Sequence, residues 1–172
     1  MRQILTPILI ILSAGFCTAQ LSTADSILIG KKVYNIELVN QDGDKISLEK
    51  YHGKHLYIDF WFTGCKPCIK EFPFAKQLKA QMKKENIVFV NISFDIQESM
   101  WKESIQKFEI TGDNLWIGTM ENHQLLRNEF NVMFFPKYWI VNPDGKIVNP
   151  SAGRPSMYVG NDYLKNEIGD DH

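Results

Sequence analysis

The 172-residue sequence predicts an α/β domain, a mixed central sheet with helices on both faces. Two observations carry this expectation. Strand-like and helix-like segments follow one another in the order β-β-β-α-β-α-(β)-α-β-β-α. The stretch Tyr57–Pro73, YIDFWFTGCKPCIKEFP, also sets a Cys-Lys-Pro-Cys tetrad where an apolar strand gives way to a helical pattern.

Taken in order, the chain opens with Arg2 and a short apolar run, Ile4–Leu12, broken by Thr6 and Pro7. Cys17-Thr18-Ala19 then precedes Gln20. A positive start, a short apolar core and small residues at its end predict a signal peptide over residues 1–19. An uncleaved anchor is the alternative; a lipid anchor on Cys17 is disfavoured by the bulky Phe16 before it. Residues 20–30 are small and polar and read as a linker, leaving 31–172 as one domain. Tyr34, Ile36 and Leu38 alternate with polar residues, Gln41-Asp42-Gly43-Asp44 is a turn, and Ile46 and Leu48 resume the alternation, which together make a β-hairpin.

His55–Phe60 is the strand into the cysteine tetrad. Cys68, Phe72, Ala75, Leu78 and Met82 mark one face of a helix from about 65 to about 84, with Pro73 inside it as a kink. Ile87–Phe94 is almost wholly apolar, as befits a strand covered on both faces. Trp101, Ile105 and Phe108 share one side of a further helix. Thr111–Asn114 reads as a loop, Leu115–Ile117 as a short strand and Gln124–Phe130 as a helix. Tyr138–Val141, the Asn142-Pro143-Asp144-Gly145 turn and Lys146–Val148 form a second hairpin. A last helix is expected around Tyr158–Asn166.

Composition narrows the function. With 44% hydrophobic and 23% charged residues and a net charge of −1, the chain has no basic excess suited to nucleic acid. Loss of the leader removes Cys17 and leaves Cys65 and Cys68 alone. An exported protein with a single close cysteine pair is not stapled by disulfides; it looks like one that works on them.

At the start of a helix, residues three apart are neighbours, so two thiols there open or close a small disulfide ring. Unpaired N–H groups and the helix dipole favour a thiolate. Cys65 is therefore expected as the exposed nucleophile, with a depressed pKa, and Cys68 as its shielded resolving partner. An inert structural disulfide and half of a zinc site are the competing readings. Zinc wants four ligands, and His52, His55, His123 and His172 are scattered; no metal site is expected. Asp59, inside the apolar strand, is expected to be buried with a raised pKa, placed to exchange a proton with Cys68. Lys66, between the cysteines, either favours the Cys65 thiolate or is an ordinary solvated cation.

Asp59, the Cys pair and Pro73 together resemble the thioredoxin superfamily, which carries an aspartate and a proline at these offsets. Glu71 and Phe72-Pro73 look more like its TlpA/ResA branch of extracytoplasmic thiol–disulfide oxidoreductases. The resemblance covers roughly residues 30–168. It implies a thioredoxin-like three-layer α/β/α sandwich with a mixed central sheet, an N-terminal β-hairpin extension and a central insert near 95–120. It implies that Glu71 lies close to the active site, and that Pro136 is a cis-proline packed against the Cys pair. Phe135 before it would then offer backbone groups to an extended substrate. An ordinary trans proline is the alternative. One departure is clear: the family usually has Trp immediately before the first cysteine, where this chain has Gly64, so the surface beside Cys65 is altered. A peroxiredoxin is disfavoured by Phe62 and Ile58, which stand where its Thr or Ser and its Pro belong. A copper chaperone of this fold is disfavoured by the two-residue spacing of the cysteines.

The resemblance implies a monomeric enzyme of the periplasm or cell envelope with no cofactor beyond the Cys65–Cys68 pair. It would reduce disulfides in envelope proteins such as apocytochrome c and be recharged by a membrane thiol donor. A binding module with little redox turnover is the rival, motivated by Gly64 and the Phe134-Phe135 patch.

Overall fold

The computed structural model describes residues 23–34 and 36–169; the expected leader, residues 1–19, lies outside them. A seven-stranded mixed sheet runs through the molecule. Its strands are β1 (Glu37–Val39), β2 (Lys45–Ser47), β3 (His55–Trp61), β4 (Ile87–Ser93), β5 (Asp113–Trp116), β6 (Lys137–Val141) and β7 (Ile147–Asn149), ordered β2-β1-β5-β4-β3-β6-β7. β3 lies inside the sheet, parallel to β4 and antiparallel to β6. The helices are α1 (Thr23–Ser26), α2 (Lys66–Gln81), α3 (Glu98–Lys107), α4 (Met120–Asn128), α5 (Pro155–Tyr158) and α6 (Tyr163–Gly169). Among the described residues no helix is long and apolar enough to cross a membrane.

Side chains alternate across a strand, so β3 divides its residues between two cores. Leu56, Ile58 and Phe60 pack with Val90, Ile92 and Trp139 and with Leu126 of α4. Tyr57, Asp59 and Trp61 face the other way. There Tyr57 meets Leu78 of α2 and Leu164 of α6, and Trp61 meets Phe72 of α2 and Trp101 of α3. Fully burying each such large apolar side chain contributes about 1.5–3 kcal/mol. Asp59 is thus a carboxylic acid set between two apolar clusters on the face that α2 covers.

Several boundaries differ from the sequence expectation, each for a local reason. Leu48 does not extend the first hairpin. It opens a 3-10 turn, Leu48–Tyr51, whose start is capped by the Ser47 hydroxyl accepting from the Glu49 N–H at 3.1 Å. Asp113 and Asn114, expected in a loop, belong to β5, where the Asn91 amide of β4 donates to the Asn114 side chain at 3.0 Å. A polar pair buried between two strands reads as loop in a sequence. α4 starts earlier than expected, at Met120, because the Thr119 hydroxyl accepts from the Asn122 N–H and caps it. The last helix is two, α5 and α6, parted by Gly160 at φ +80°, a backbone conformation that side chains disfavour. α2 continues through Pro73, although proline leaves the Ile69 carbonyl without its helical donor.

The expected linker needs correction over its described part. Residues 23–30 pack on the domain. Leu28 is buried in the α4-side core, and the Gly30 N–H donates to the Ile147 carbonyl of β7 at 2.8 Å. The Asp25 carboxylate accepts from Lys137 at 2.7 Å, Ser151 at 2.7 Å and Asn131 at 2.9 Å. Burial alone would raise the Asp25 pKa, but these donors hold it below the ordinary carboxylate value.

Candidate active site

β3 delivers the chain to the loop Phe62–Gly64, and α2 begins directly after Cys65. Cys65 is the N-cap, and Pro67 sits in the first turn, where its missing N–H costs no helical bond. The two cysteines are joined by a disulfide with their Cα atoms 5.3 Å apart. The Cys68 N–H donates to the Cys65 sulfur at 3.2 Å. A backbone donor aimed at that sulfur from the first turn of a helix favours its thiolate on reduction. Cys68 is fully buried, as expected of a resolving thiol. Cys65, expected to be exposed, is only 4% so. It belongs to the apolar cluster of Trp61 and Phe72, against which Phe62 and Phe135 also pack. Lys66 is exposed at the opening of α2.

The loop before Cys65 is tied down by one carboxylate that the sequence reading did not single out. Asp95, just after β4, accepts from the Thr63 N–H at 2.9 Å, the Thr63 hydroxyl at 2.9 Å and the Ser93 hydroxyl at 2.7 Å. The signal was an acid immediately after the almost wholly apolar run Ile87–Phe94, but its partner lies 32 residues away.

Asp59 lies opposite Tyr138 of β6 and beside Asn91 of β4. It is 2% exposed, and among the described residues neither of its oxygens, nor the Tyr138 hydroxyl, has a hydrogen-bond partner. Burial pushes the Asp59 pKa well above the usual carboxylate range, and the charge of Glu71 adds to the shift. Burial likewise raises Tyr138, with the charges of Asp59 and Glu71 acting in the same direction. A carboxyl group whose pKa is raised by burial in an apolar layer is suited to proton transfer, donating when protonated and accepting when ionised.

Glu71, also buried, differs from Asp59 because it is fully bound. Its two oxygens accept from the N–H and the hydroxyl of Ser156, each at 3.0 Å. Ser156 lies in the first turn of α5. The last helix expected from the sequence, around Tyr158–Asn166, does not reach Ser156 or its pairing with Glu71.

The Phe135–Pro136 bond is cis. The Phe135 ring stands edge-on to Phe62, with centroids 5.4 Å apart, and to Phe94 at 4.9 Å. The segment before β6 is thereby brought to the Cys65 loop. Phe134 beside it is 84% exposed. The structure thus gathers Gly64, Cys65, Cys68 and Phe135 around one apolar cluster, with Pro136 adjoining. Asp59 lies on the sheet face that α2 covers, and Glu71 is a buried residue of α2 itself.

The Thioredoxin-like family model matches residues 53–147, more than half of the chain. The thiol–disulfide oxidoreductase ResA of Bacillus cereus is 26% identical over 162 residues, covering 92% of this chain and 91% of that protein. Its Bacillus subtilis counterpart is 28% identical over 141 residues, 81% of this chain and 76% of that one. Among solved structures, the thioredoxin domain of a thiol–disulfide oxidoreductase from Bacteroides vulgatus superposes with a TM-score of 0.72 at 24% identity. That match covers 81% of this chain and 97% of that one. The chain belongs to the thioredoxin-like family as a TlpA/ResA-like thiol–disulfide oxidoreductase.

Proposed function

We propose that this oxidoreductase works outside the cytoplasm as a monomer, reducing disulfides in envelope proteins, apocytochrome c among them. No cofactor beyond the Cys65–Cys68 pair takes part, and a membrane dithiol donor keeps that pair reduced. The leader reading supports the location, and the ResA relatives, named thiol–disulfide oxidoreductases, support the disulfide exchange. The observation that carries the mechanism is a helix-capping Cys65, whose sulfur accepts a backbone N–H, together with a buried acid, Asp59, whose oxygens have no hydrogen-bond partner among the described residues.

The Cys65 thiolate attacks one sulfur of the client disulfide. That bond breaks, a Cys65–client disulfide forms and one client thiolate leaves. The Cys68 thiol then gives up its proton to Asp59 in its ionised carboxylate form, and the Cys68 thiolate attacks the Cys65 sulfur. The second client thiolate leaves, the client is reduced by two electrons, and Cys65–Cys68 is oxidised. Glu71, held by Ser156, contributes its charge, which raises the proton affinity of Asp59. The experiment is a Cys68→Ser trap in cells, with insulin reduction by the wild type alongside. The variant should accumulate mixed disulfides with envelope proteins, while Cys65→Ser accumulates few. The reverse pattern, or trapping by neither, overturns the assignment.

A further inference from the structure

An apolar groove of about 590 Å³ opens between the Phe62–Gly64 loop, the connection after β4 and α4. Its floor is the three packed rings Phe62, Phe94 and Phe135. Its rim is apolar and unpacked: Ile96 is 81% exposed and Met120 62%. Exposed apolar side chains beside a concave apolar floor mark a contact site, and methionine adapts its shape to varied partners.

Three features say what sits there. The groove is continuous with the redox site, since Gly64 directly precedes Cys65 and Phe135 directly precedes the cis-proline. Consecutive residues of a bound chain are about 3.8 Å apart, so the groove is reached by the residue next to the one being attacked. Gly64 also keeps the mouth open. A Cβ built there would lie 2.9 Å from the edge of the Phe62 ring, so that ring occupies the space a side chain would need. Charge, finally, is sparse. The Asp95 carboxylate is turned to Thr63 and Ser93. Burial and the neighbouring Arg127 lower the His123 pKa, favouring its neutral form. Arg127 lies over the Phe94 ring and has no carboxylate partner among the described residues.

We propose that this groove selects clients, receiving a bulky apolar side chain adjacent to the attacked cysteine of an extended, disulfide-bearing polypeptide and rejecting a basic one. The proposal rests on the disulfide-exchange reading above. It makes Gly64 a specificity determinant, because a side chain at that position would crowd the groove.

The test uses the reduced protein and three peptides, each closed by one disulfide. They differ only in the residues flanking the cysteines, which are Leu, Ala or Lys; 2-hydroxyethyl disulfide serves as a probe too small to fill the groove. The leucine peptide should be reduced about tenfold or more faster than the alanine peptide in kcat/KM, and the lysine peptide slowest. In Ile96→Ser combined with Met120→Ser, both exposed and so harmless to folding, the leucine preference should fall below about threefold. Equal rates for all three peptides, or a preference untouched by the double variant, overturn the groove proposal. No reaction with any of the four disulfides overturns the redox reading instead.

Discussion

Both carboxylate oxygens of Glu71 are taken by a single residue, Ser156, which donates its backbone N–H to one and its hydroxyl to the other. The contact joins α2 to α5 across 85 residues of sequence. It also separates the two buried acids of the site into one that is fully bound and one, Asp59, that is not.

Ser156→Ala removes the hydroxyl and keeps the N–H. A buried carboxylate then loses one of two donors, which costs about 1.5–3 kcal/mol. Urea unfolding of the oxidised protein should show a lower midpoint with an unchanged slope. An unchanged midpoint would mean that the hydroxyl bond contributes nothing to holding α5 on α2.

The buried Asp59 gives stability a characteristic pH dependence. Burial and then Glu71 raise its folded-state pKa above the unfolded value of 3.8. The folded protein therefore binds more protons than the unfolded chain from about pH 4 up to the raised value, and stability falls as pH rises through that window. The loss is at most about 1.4 kcal/mol per pH unit for one group. Asp59→Asn carries no charge to bury, so in urea unfolding it should gain on the wild type as pH rises from about 4 through the raised pKa. A wild-type–variant difference that stays constant with pH would remove the buried proton from the account.

In catalysis the same substitution should act on the second half-reaction. Asparagine cannot take the proton from Cys68, so release of the mixed disulfide should slow by about tenfold or more, while attack by Cys65 changes much less. Stopped-flow Trp fluorescence from about pH 5 to pH 9 separates the two phases. An unchanged release phase would assign the proton to Glu71 or to water.

Asp25 titrates in the opposite sense. Burial pushes its pKa upward, but Lys137, Ser151 and Asn131 outweigh that and set it below 3.8. Its contribution is complete above the unfolded pKa and is lost as pH falls through the folded one. Asp25→Asn should therefore destabilise by about 1.5–3 kcal/mol at pH 7, and by progressively less as pH drops below about 4. Since Lys137 follows Pro136 directly, the amide-exchange protection of residues 23–30 and of β6 should decline together.

What the sequence by itself determined is the local chemistry. Periodicity placed α2 behind the cysteine tetrad, and a polar residue in an apolar run marked Asp59 as buried. Each of these follows from side-chain type at a fixed spacing, and each is a property of a few neighbouring residues. Only the tertiary structure decided that Ser156 binds Glu71, that Asp95 holds Thr63, that Phe135 meets Phe62, and that Asp25 anchors residues 23–30 beside the cis-proline loop. It also turned Asp113 and Asn114 from loop into strand. These pairings span from 32 to 112 residues. They depend on strand register and on how helices dock over the sheet, and no local window of sequence encodes which distant donor will meet a given carboxylate.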